Sequence, residues 1–210
     1  MGLLLVVSGP SGVGKGTIIE KVRGRFGDLK ESVSVNTRPP RPDEVEGRDY
    51  FFVTRQQFEE MIAADEFYEW ANVHGELKGT PKREIRKALE GGVDMVLEVD
   101  YQGALAIKNK EPSAVLVFIA PPTWADLEQR LRGRETESSE ALQRRLQTAL
   151  IELQSIDKYD YVIVNDHADE AADELAAVLV AERCRLQRRA SQALVASLLA
   201  EARAAMAGSE

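Results

Sequence analysis

Cysteine and histidine are almost absent from this chain of 210 residues. The one cysteine, Cys184, has no second thiol for an intramolecular disulfide, and one thiol is too few for a cysteine zinc site. The two histidines lie outside every motif described below. This composition predicts a protein of a reducing compartment, and we expect a cytoplasmic location.

Long apolar runs and an excess of basic residues are also missing. No stretch reaches the roughly 20 apolar residues that span a bilayer, and the short run at residues 3–7 lacks a charged leader, which indicates a buried strand rather than a signal peptide. The net charge is -8, from 27 basic and 35 acidic residues. We therefore expect neither nucleic acid nor membrane as a partner, and any phosphate site must be a local cluster of Arg and Lys.

A glycine-rich stretch follows the apolar run directly. Glycine permits backbone conformations in which successive N–H groups line a concavity for phosphate oxygens. Lys15 adds a mobile positive charge, and the helical pattern that follows directs its positive end at the same anions. This is the P-loop pattern between a strand and a helix, and it predicts a site for the phosphates of a nucleotide. The residues assigned to it are Gly9, Pro10, Ser11, Gly12, Val13, Gly14, Lys15, Gly16 and Thr17.

The loop departs from the P-loop pattern at one position. The pattern has Ser or Thr directly after the lysine, where a hydroxyl meets Mg²⁺, but this chain has Gly16 there. Thr17 is the nearest hydroxyl. We expect Mg²⁺ to bind with the nucleotide and to be held by Thr17, by water, or mostly by the nucleotide itself.

Short apolar runs alternate with helical patterns along the chain. The runs at residues 3–7, 93–99, 115–120 and 159–164 predict strands. That alternation favours an α/β fold of three layers, with a largely parallel sheet covered by helices. Thr80 and Pro81 have the pattern of an N-cap and first helical residue, and Gly91 and Gly92 would end that helix.

Two intervals interrupt this alternation and predict insertions. Residues 32–82 contain strand patterns at 34–37 and 50–53, and a helix that Thr54 opens with Gln57 in capping-box spacing, which favours a small mixed β subdomain. Residues 123–150 are rich in arginine and predict a helical lid. The core domain would then comprise residues 1–31, 83–122 and 151–184. Residues 185–210 would form a helical extension, for which a solvated tail is favoured over a dimerisation helix, and we expect a monomer or a homodimer.

Two clusters in the first insertion have the chemistry of a nucleotide acceptor site. Arg38 and Arg41 lie on a proline-stiffened loop with Tyr50 shortly after it, and guanidinium groups with a phenol suit a phosphate monoester. A plain solvated turn explains the same spacing. Glu69 lies among aromatic residues, and a carboxylate there can accept from the two adjacent donors of a guanine base. A surface glutamate on an alternating strand is the other interpretation.

A set of motifs in fixed order resembles guanylate kinases over roughly residues 3 to 183. They are the glycine loop, Ser34, Thr37-Arg38-Pro39-Pro40-Arg41, Gly47-Arg48-Asp49-Tyr50, Phe67-Tyr68-Glu69-Trp70, Gly79-Thr80, Asp100-Tyr101-Gln102-Gly103, Phe118-Ile119-Ala120-Pro121-Pro122 and Val162-Ile163-Val164-Asn165-Asp166. The resemblance implies a parallel-sheet core, an inserted GMP-binding region and a lid. It also implies transfer of the γ-phosphoryl of ATP to GMP, or to dGMP, in purine nucleotide metabolism, with Mg²⁺.

The resemblance assigns roles to individual residues. Arg38, Arg41 and Tyr50 would hold the GMP phosphate, and Glu69 would bind the guanine N1 and amino group. Ser34 and Thr80 would lie near O6 of the guanine. Glu98 and Asp100 would lie near the acceptor, and Asp100 would also lie near the metal. Arg134 and Arg145 would bind the ATP phosphates, and Asn165 would lie by the adenine. The groups with a catalytic role would be Lys15, Arg38, Arg134 and Arg145.

Three departures from the family pattern limit this transfer. Lys78 stands where the family has tyrosine, Glu98 stands where aspartate is usual, and Glu135 replaces a glycine of the lid motif. Two alternatives stay open at this point. One is a catalytically inactive module of the same fold that binds proteins, and the other is a related kinase that phosphorylates AMP or a ribose bisphosphate.

Overall fold

The computed structural model describes residues 2–73, 75–132, 139–185 and 191–207 of the chain. The strands are β1 (Leu4–Ser8), β2 (Leu29–Glu31), β3 (Ser34–Asn36), β4 (Tyr50–Phe52), β5 (Phe67–Val73), β6 (Glu76–Pro81), β7 (Asp94–Glu98), β8 (Val115–Ala120) and β9 (Tyr161–Val164). The helices are α1 (Lys15–Arg25), α2 (Arg55–Ala63), α3 (Lys82–Glu90), α4 (Tyr101–Lys110), α5 (Trp124–Arg132), α6 (Ser139–Gln154), α7 (Ala168–Arg183) and α8 (Ser191–Ala207). A short 3₁₀ turn, Ile156–Lys158, precedes β9.

The central sheet has five parallel strands in the order β2-β7-β1-β8-β9. All five residues of β1 are buried, because helices cover both faces of the sheet. Leu5 and Val7 pack on one face with α1 and α7, whereas Leu4 and Val6 pack on the other with α3 and α4. The predicted α/β fold with a parallel sheet between two helical layers is confirmed.

The sequence patterns located four of these five strands. They missed β2, which has three residues, of which only Leu29 is buried. At the edge of the sheet a strand packs on one face only, so it carries little apolar periodicity. Strand β8 has the predicted bounds and β1 is shifted by one residue, whereas β7 and β9 are shorter than predicted, since β7 spans Asp94–Glu98 and β9 begins at Tyr161.

The first insertion forms a second sheet of four strands in the order β4-β3-β6-β5. β3 pairs with β4 in parallel, and β6 pairs with both β3 and β5 in antiparallel fashion. Its small core contains Val35, Phe58, Phe67 and Leu77, with the rings of Phe58 and Phe67 stacked at 4.4 Å. The mixed β character was predicted, although the strand patterns located only β3 and β4.

Two local predictions about helix ends have different outcomes. The capping box of α2 is confirmed, because Gln57 N donates to Thr54 Oγ1 at 3.2 Å and Thr54 N donates to Gln57 Oε1 at 2.8 Å. The N-cap assigned to Thr80 is wrong by one residue. Thr80 is still in β6, and Pro81 is the N-cap of α3.

The second insertion is helical within the described residues. α5 and α6 pack through Leu127, Leu131 and Ala149, with Leu142 and Leu146 beside them. Residues 133–138, which include Arg134 and Glu135 of the predicted lid motif, lie outside the described residues. The proposed division of the chain into core, GMP-binding region, lid and extension stays a prediction.

The last element that the structure describes is α8, and its large apolar side chains are exposed, among them Leu194, Leu198 and Leu199. Cys184, directly after α7, is exposed and forms no disulfide. Over the ranges that the structure describes, none of the helices combines the length and the hydropathy that a membrane span requires.

Candidate nucleotide-binding site

The glycine loop connects β1 to α1 at the carboxyl edge of the central sheet. Three of its glycines have positive φ angles, +144° at Gly9, +82° at Gly12 and +97° at Gly14. A Cβ atom at Gly9 would lie 2.2 Å from the carbonyl oxygen of Ile119, and one at Gly14 would lie 2.5 Å from Asn165 Nδ2. Gly16 differs, because it already belongs to the helix. At positions 9 and 14, therefore, only glycine fits without displacing neighbouring atoms.

Lys15 is the first residue of α1, and its side chain folds back over the loop. Its Nζ donates to the carbonyl oxygens of Gly9 at 2.6 Å and Pro10 at 3.2 Å. It also lies 4.0 Å from Glu98 Oε1. A phosphate oxygen at this loop would compete with these uncharged carbonyls for the ammonium group, and a charge-assisted bond to phosphate is the stronger one.

Asn165, directly after β9, contacts the backbone of the glycine loop. It is 5% exposed, and its Nδ2 donates to the carbonyl oxygen of Val13 at 2.6 Å. The backbone carbonyl oxygen of Asn165 accepts from Arg130 Nη1 at 3.0 Å. The structure thus places this side chain on the loop backbone, whereas the contact with adenine that the resemblance implies stays a prediction.

A cavity of about 520 Å³ lies between the glycine loop and the second sheet. Its described wall brings together predicted residues from both halves of the site: Gly9, Ser11 and Lys15 from the loop, Ser34, Tyr50, Glu69 and Thr80 from the second sheet, and Glu98 and Asp100 from the end of β7. These residues are up to 91 positions apart in the sequence, yet the fold places them around one space. A cavity with polar groups on two opposite walls suits two substrates that meet between them.

Glu69 is the most buried of the acidic groups that were predicted for substrate binding. It lies on β5 opposite Thr80 on β6, whose Oγ1 donates to Glu69 Oε1 at 2.5 Å. Burial raises the pKa of the Glu69 carboxyl, and the Thr80 bond opposes that shift. Glu69 Oε1 already has one donor, and N–H groups of a ligand can supply the donors that a buried carboxylate lacks.

Arg38 is held by a carboxylate that the sequence patterns did not reveal. Its Nη1 and Nη2 donate to Glu44 Oε2 at 2.6 Å and to Glu44 Oε1 at 2.5 Å. This bidentate pair lowers the pKa of Glu44 to about 2 and raises the pKa of Arg38. The backbone N–H of Arg41 donates to the same carboxylate at 2.8 Å. Glu44 therefore fixes the loop that carries both arginines.

Neither Arg38 nor Arg41 is among the residues that line the cavity. The Arg38 guanidinium lies over the ring of Tyr50, 5.1 Å from its centroid. The Lys78 ammonium lies 5.5 Å from the same centroid, and Lys78 does line the cavity. At position 78, where the family pattern has a tyrosine, this chain thus has a cation next to Tyr50.

The oxygen donors that a metal ion needs lie near the glycine loop. Thr17 and Glu98 line a recess of about 290 Å³ together with Ser11 and Lys15. Asp100 is the N-cap of α4, and its Oδ1 accepts from Gly103 N at 2.8 Å. Within the described ranges no three acidic, cysteine or histidine side chains gather as a metal cluster.

Glu152 is a site residue that sequence reasoning missed. It lies in the last turn of α6, lines the cavity of about 520 Å³ and is 5% exposed. Burial raises the pKa of its carboxyl to about 7. No short motif contains it, and only the packing of α6 shows that it faces Lys15. Arg145 lies on the same helix, whereas Arg134 is outside the described residues.

Comparison with known proteins accounts for this arrangement. A family model described as guanylate kinase matches residues 1–182. A guanylate kinase of Desulfitobacterium hafniense is 45% identical over 188 residues, which cover 90% of this chain and 94% of the relative. One of Nocardia farcinica is 49% identical over 186 residues, covering 88% and 96%. A crystal structure of guanylate kinase from Anaplasma phagocytophilum superposes with a TM-score of 0.73 at 33% identity, covering 92% of this chain and 93% of that one. This chain belongs to the guanylate kinase family.

Proposed function

We propose that the protein transfers the γ-phosphoryl group of ATP to GMP, and to dGMP, forming ADP and the corresponding guanosine diphosphate. The observation that carries this proposal is the shared cavity, in which the glycine loop with Lys15 faces Glu69 and Thr80. The first wall has the chemistry of a phosphate site and the second that of a guanine site. Family membership supports the same reaction.

On the donor side, the backbone N–H groups of the glycine loop and the N-terminus of α1 would hold the ATP phosphates. Lys15 would leave the carbonyl oxygens of Gly9 and Pro10 and bind the phosphates that carry developing charge. Arg145 on α6, together with Arg134, would add further positive charge during transfer. Transfer to a phosphate asks little covalent chemistry of a protein, so positioning and charge stabilisation supply most of the rate.

On the acceptor side, Glu69 would accept from guanine N1–H and the exocyclic amine, with Thr80 and Ser34 beside the base. Tyr50, Arg38 and Arg41 would hold the phosphate of GMP, and Lys78 would add an ammonium group next to Tyr50. The attacking oxygen belongs to that phosphate, which is largely ionised near pH 7 because its second pKa is about 6. The reaction therefore requires no general base.

Magnesium is the divalent ion that the proposal assigns to the donor site. When bound, Mg²⁺ offsets charge on the ATP phosphates. The residues present fit this ion, because Thr17, Glu98 and Asp100 offer hard oxygen ligands at the loop and at the end of β7. Since Gly16 lacks a hydroxyl, we expect the phosphates and water to supply most ligands.

Further assignments concern the compartment, the alternative functions and the oligomeric state. The exposed thiol of Cys184, which forms no disulfide, supports a reducing compartment, and we propose the cytoplasm. Among the alternatives, an inactive protein-binding module is disfavoured, because Lys15 and the glycine φ angles of a phosphate-binding loop are intact. Monomer or homodimer stays a prediction.

A side-by-side assay of phosphate acceptors tests the proposed function. Formation of ADP would be followed with GMP, dGMP, AMP and a ribose bisphosphate at equal concentrations. We expect GMP and dGMP to be used, and AMP to be used at least about 10²-fold less efficiently, because its N1 is an acceptor facing Glu69. Equal use of AMP, or no ADP formation with any acceptor, would contradict the proposal.

A further inference from the structure

One buried carboxylate of the cavity takes no part in the transfer described above. Glu152 is 5% exposed and lies on the wall that also carries Gly9, Ser11 and Lys15. A carboxylate removed from water needs a nearby cation or donor, or else it favours its neutral form. Its position next to the phosphate loop therefore needs an explanation.

The charged and titratable groups around Glu152 come from several elements. Lys15 of α1 favours the ionised form of Glu152, whereas Asp100, at the start of α4, opposes it. The phenol of Tyr159 is close enough to be affected by the Glu152 charge, and Glu98 lines the same wall from β7. Burial is the largest influence, and it raises the pKa of the Glu152 carboxyl to about 7. Both forms of the side chain are therefore populated near neutral pH.

Phosphates that arrive at Lys15 change this balance in one direction. They bring several negative charges into the cavity, and they engage the ammonium group that favours ionised Glu152. Both effects raise the free energy of the ionised carboxylate and leave the neutral acid almost unaffected.

We propose that Glu152 is a positioning residue whose negative charge weakens the hold of Lys15 on the donor phosphates, so that ADP and ATP bind more tightly when this side chain is uncharged. The inference rests on the proposed function in one respect, that the donor phosphates bind at Lys15. Its consequence for the reaction is that ionised Glu152 promotes the release of ADP.

The test compares variants that differ at Glu152 in charge. E152Q removes the charge and keeps the shape, E152D keeps the charge, and E170Q changes an exposed glutamate of α7 as a matched control. The dissociation constant for ADP would be measured by isothermal titration calorimetry at pH 6 and pH 8. The ionisation of ADP itself affects the wild type and all variants equally, so it cancels in the ratio of their dissociation constants.

At pH 8 we expect E152Q to bind ADP about tenfold more tightly than the wild type, because one pH unit above a pKa of about 7 only about a tenth of the wild-type protein has the neutral Glu152 that favours ADP binding. At pH 6 the difference should largely vanish, because wild-type Glu152 is then mostly neutral. E152D should bind like the wild type or more weakly at pH 8, and E170Q should match the wild type at both values. E152Q should also lower the KM for ATP by a larger factor than it changes kcat, a split that a merely structural role would not produce.

Unchanged or weaker ADP binding by folded E152Q at pH 8 would overturn the inference. If E152Q does not fold, E152A removes the same charge, and the same comparison decides. Failure of the proposed function would look different, since the wild type would then form no ADP with GMP. A wild type that is active with GMP, beside uncharged variants with unchanged ADP affinity, refutes only the role of Glu152.

Discussion

The substitution Glu69→Gln tests the base-recognition part of the site in most detail. In the structure Glu69 is half-buried on β5 and accepts from Thr80 Oγ1 at 2.5 Å. A carboxylate can accept from both the N1–H and the amine of guanine. A carboxamide keeps one acceptor oxygen, which can still accept from Thr80, but its NH₂ group would then face a guanine donor.

The magnitude follows from counting the bonds that change. One charge-assisted hydrogen bond worth about 1.5–3 kcal/mol is lost, and the guanine donor that meets the NH₂ group is left without an acceptor, at a cost of about 1–3 kcal/mol. The loss of transition-state binding is then about 3–4 kcal/mol. Since 1.36 kcal/mol is about tenfold, kcat/KM for GMP should fall by a factor of roughly 10²–10³. Steady-state kinetics with GMP and AMP would measure this loss, together with the change in preference.

Folding stability provides the control for this substitution. Because burial raises the pKa of folded Glu69, this group contributes stability below its unfolded pKa, and that contribution is lost as pH rises through the folded value. A neutral amide avoids that loss, so at pH 7 E69Q should unfold at a temperature equal to or above that of the wild type. E66Q, at an exposed position three residues earlier, should leave both kinetics and stability unchanged. A folded E69Q enzyme with kcat/KM for GMP within about threefold of the wild type would refute the role of Glu69.

Three further predictions concern the loops. Lys15→Ala should lower turnover by about 10³-fold or more with an unchanged melting temperature, because it removes the cation nearest the donor phosphates; near-normal activity would contradict the assignment. Gly14→Ala should lower the melting temperature and abolish ATP binding, since its Cβ would lie 2.5 Å from Asn165 Nδ2 at a φ of +97°. The control Gly24→Ala, with no heavy atom within 4 Å, should stabilise α1 by about 1 kcal/mol; equal melting temperatures for the two variants would contradict the account. Glu44→Gln should lower the melting temperature above about pH 5. The difference in melting temperature from the wild type should shrink as pH falls towards 2, because Arg38 lowers the pKa of Glu44 to about 2. A difference that is constant with pH would show that the ion pair does not contribute to stability.

Much of the core could be predicted from local patterns. Strand β1 and the loop after it combine a buried apolar run with glycines that the turn requires, so one short segment carries both signals. Strand β2 could not be predicted in this way, because only Leu29 of its three residues is buried. Its place in the sheet is set by pairing with β7, a contact between distant segments.

The site shows the same division between local and long-range information. Arg38, Tyr50 and Glu69 stand in recognisable motifs, and the fold brings Tyr50 and Glu69 to the wall that faces Lys15. Glu44 and Glu152 stand in none, since their roles depend on an ion pair and on the packing of a helix. Asn165 stands in a motif, yet its hydrogen bond to Val13 joins residues 152 positions apart.

The central claim is that one cavity holds two nucleotides, with donor phosphates on the glycine loop and guanine on Glu69. A crystal structure of the protein with GMP and Mg²⁺-ADP bound tests it most directly. We expect the ADP phosphates on residues 9–17 with Lys15 turned from Gly9 towards them, and the GMP base on Glu69 with its phosphate at Tyr50, Arg38 and Arg41. Guanine bound away from Glu69, or ADP phosphates bound away from Lys15, would contradict the account.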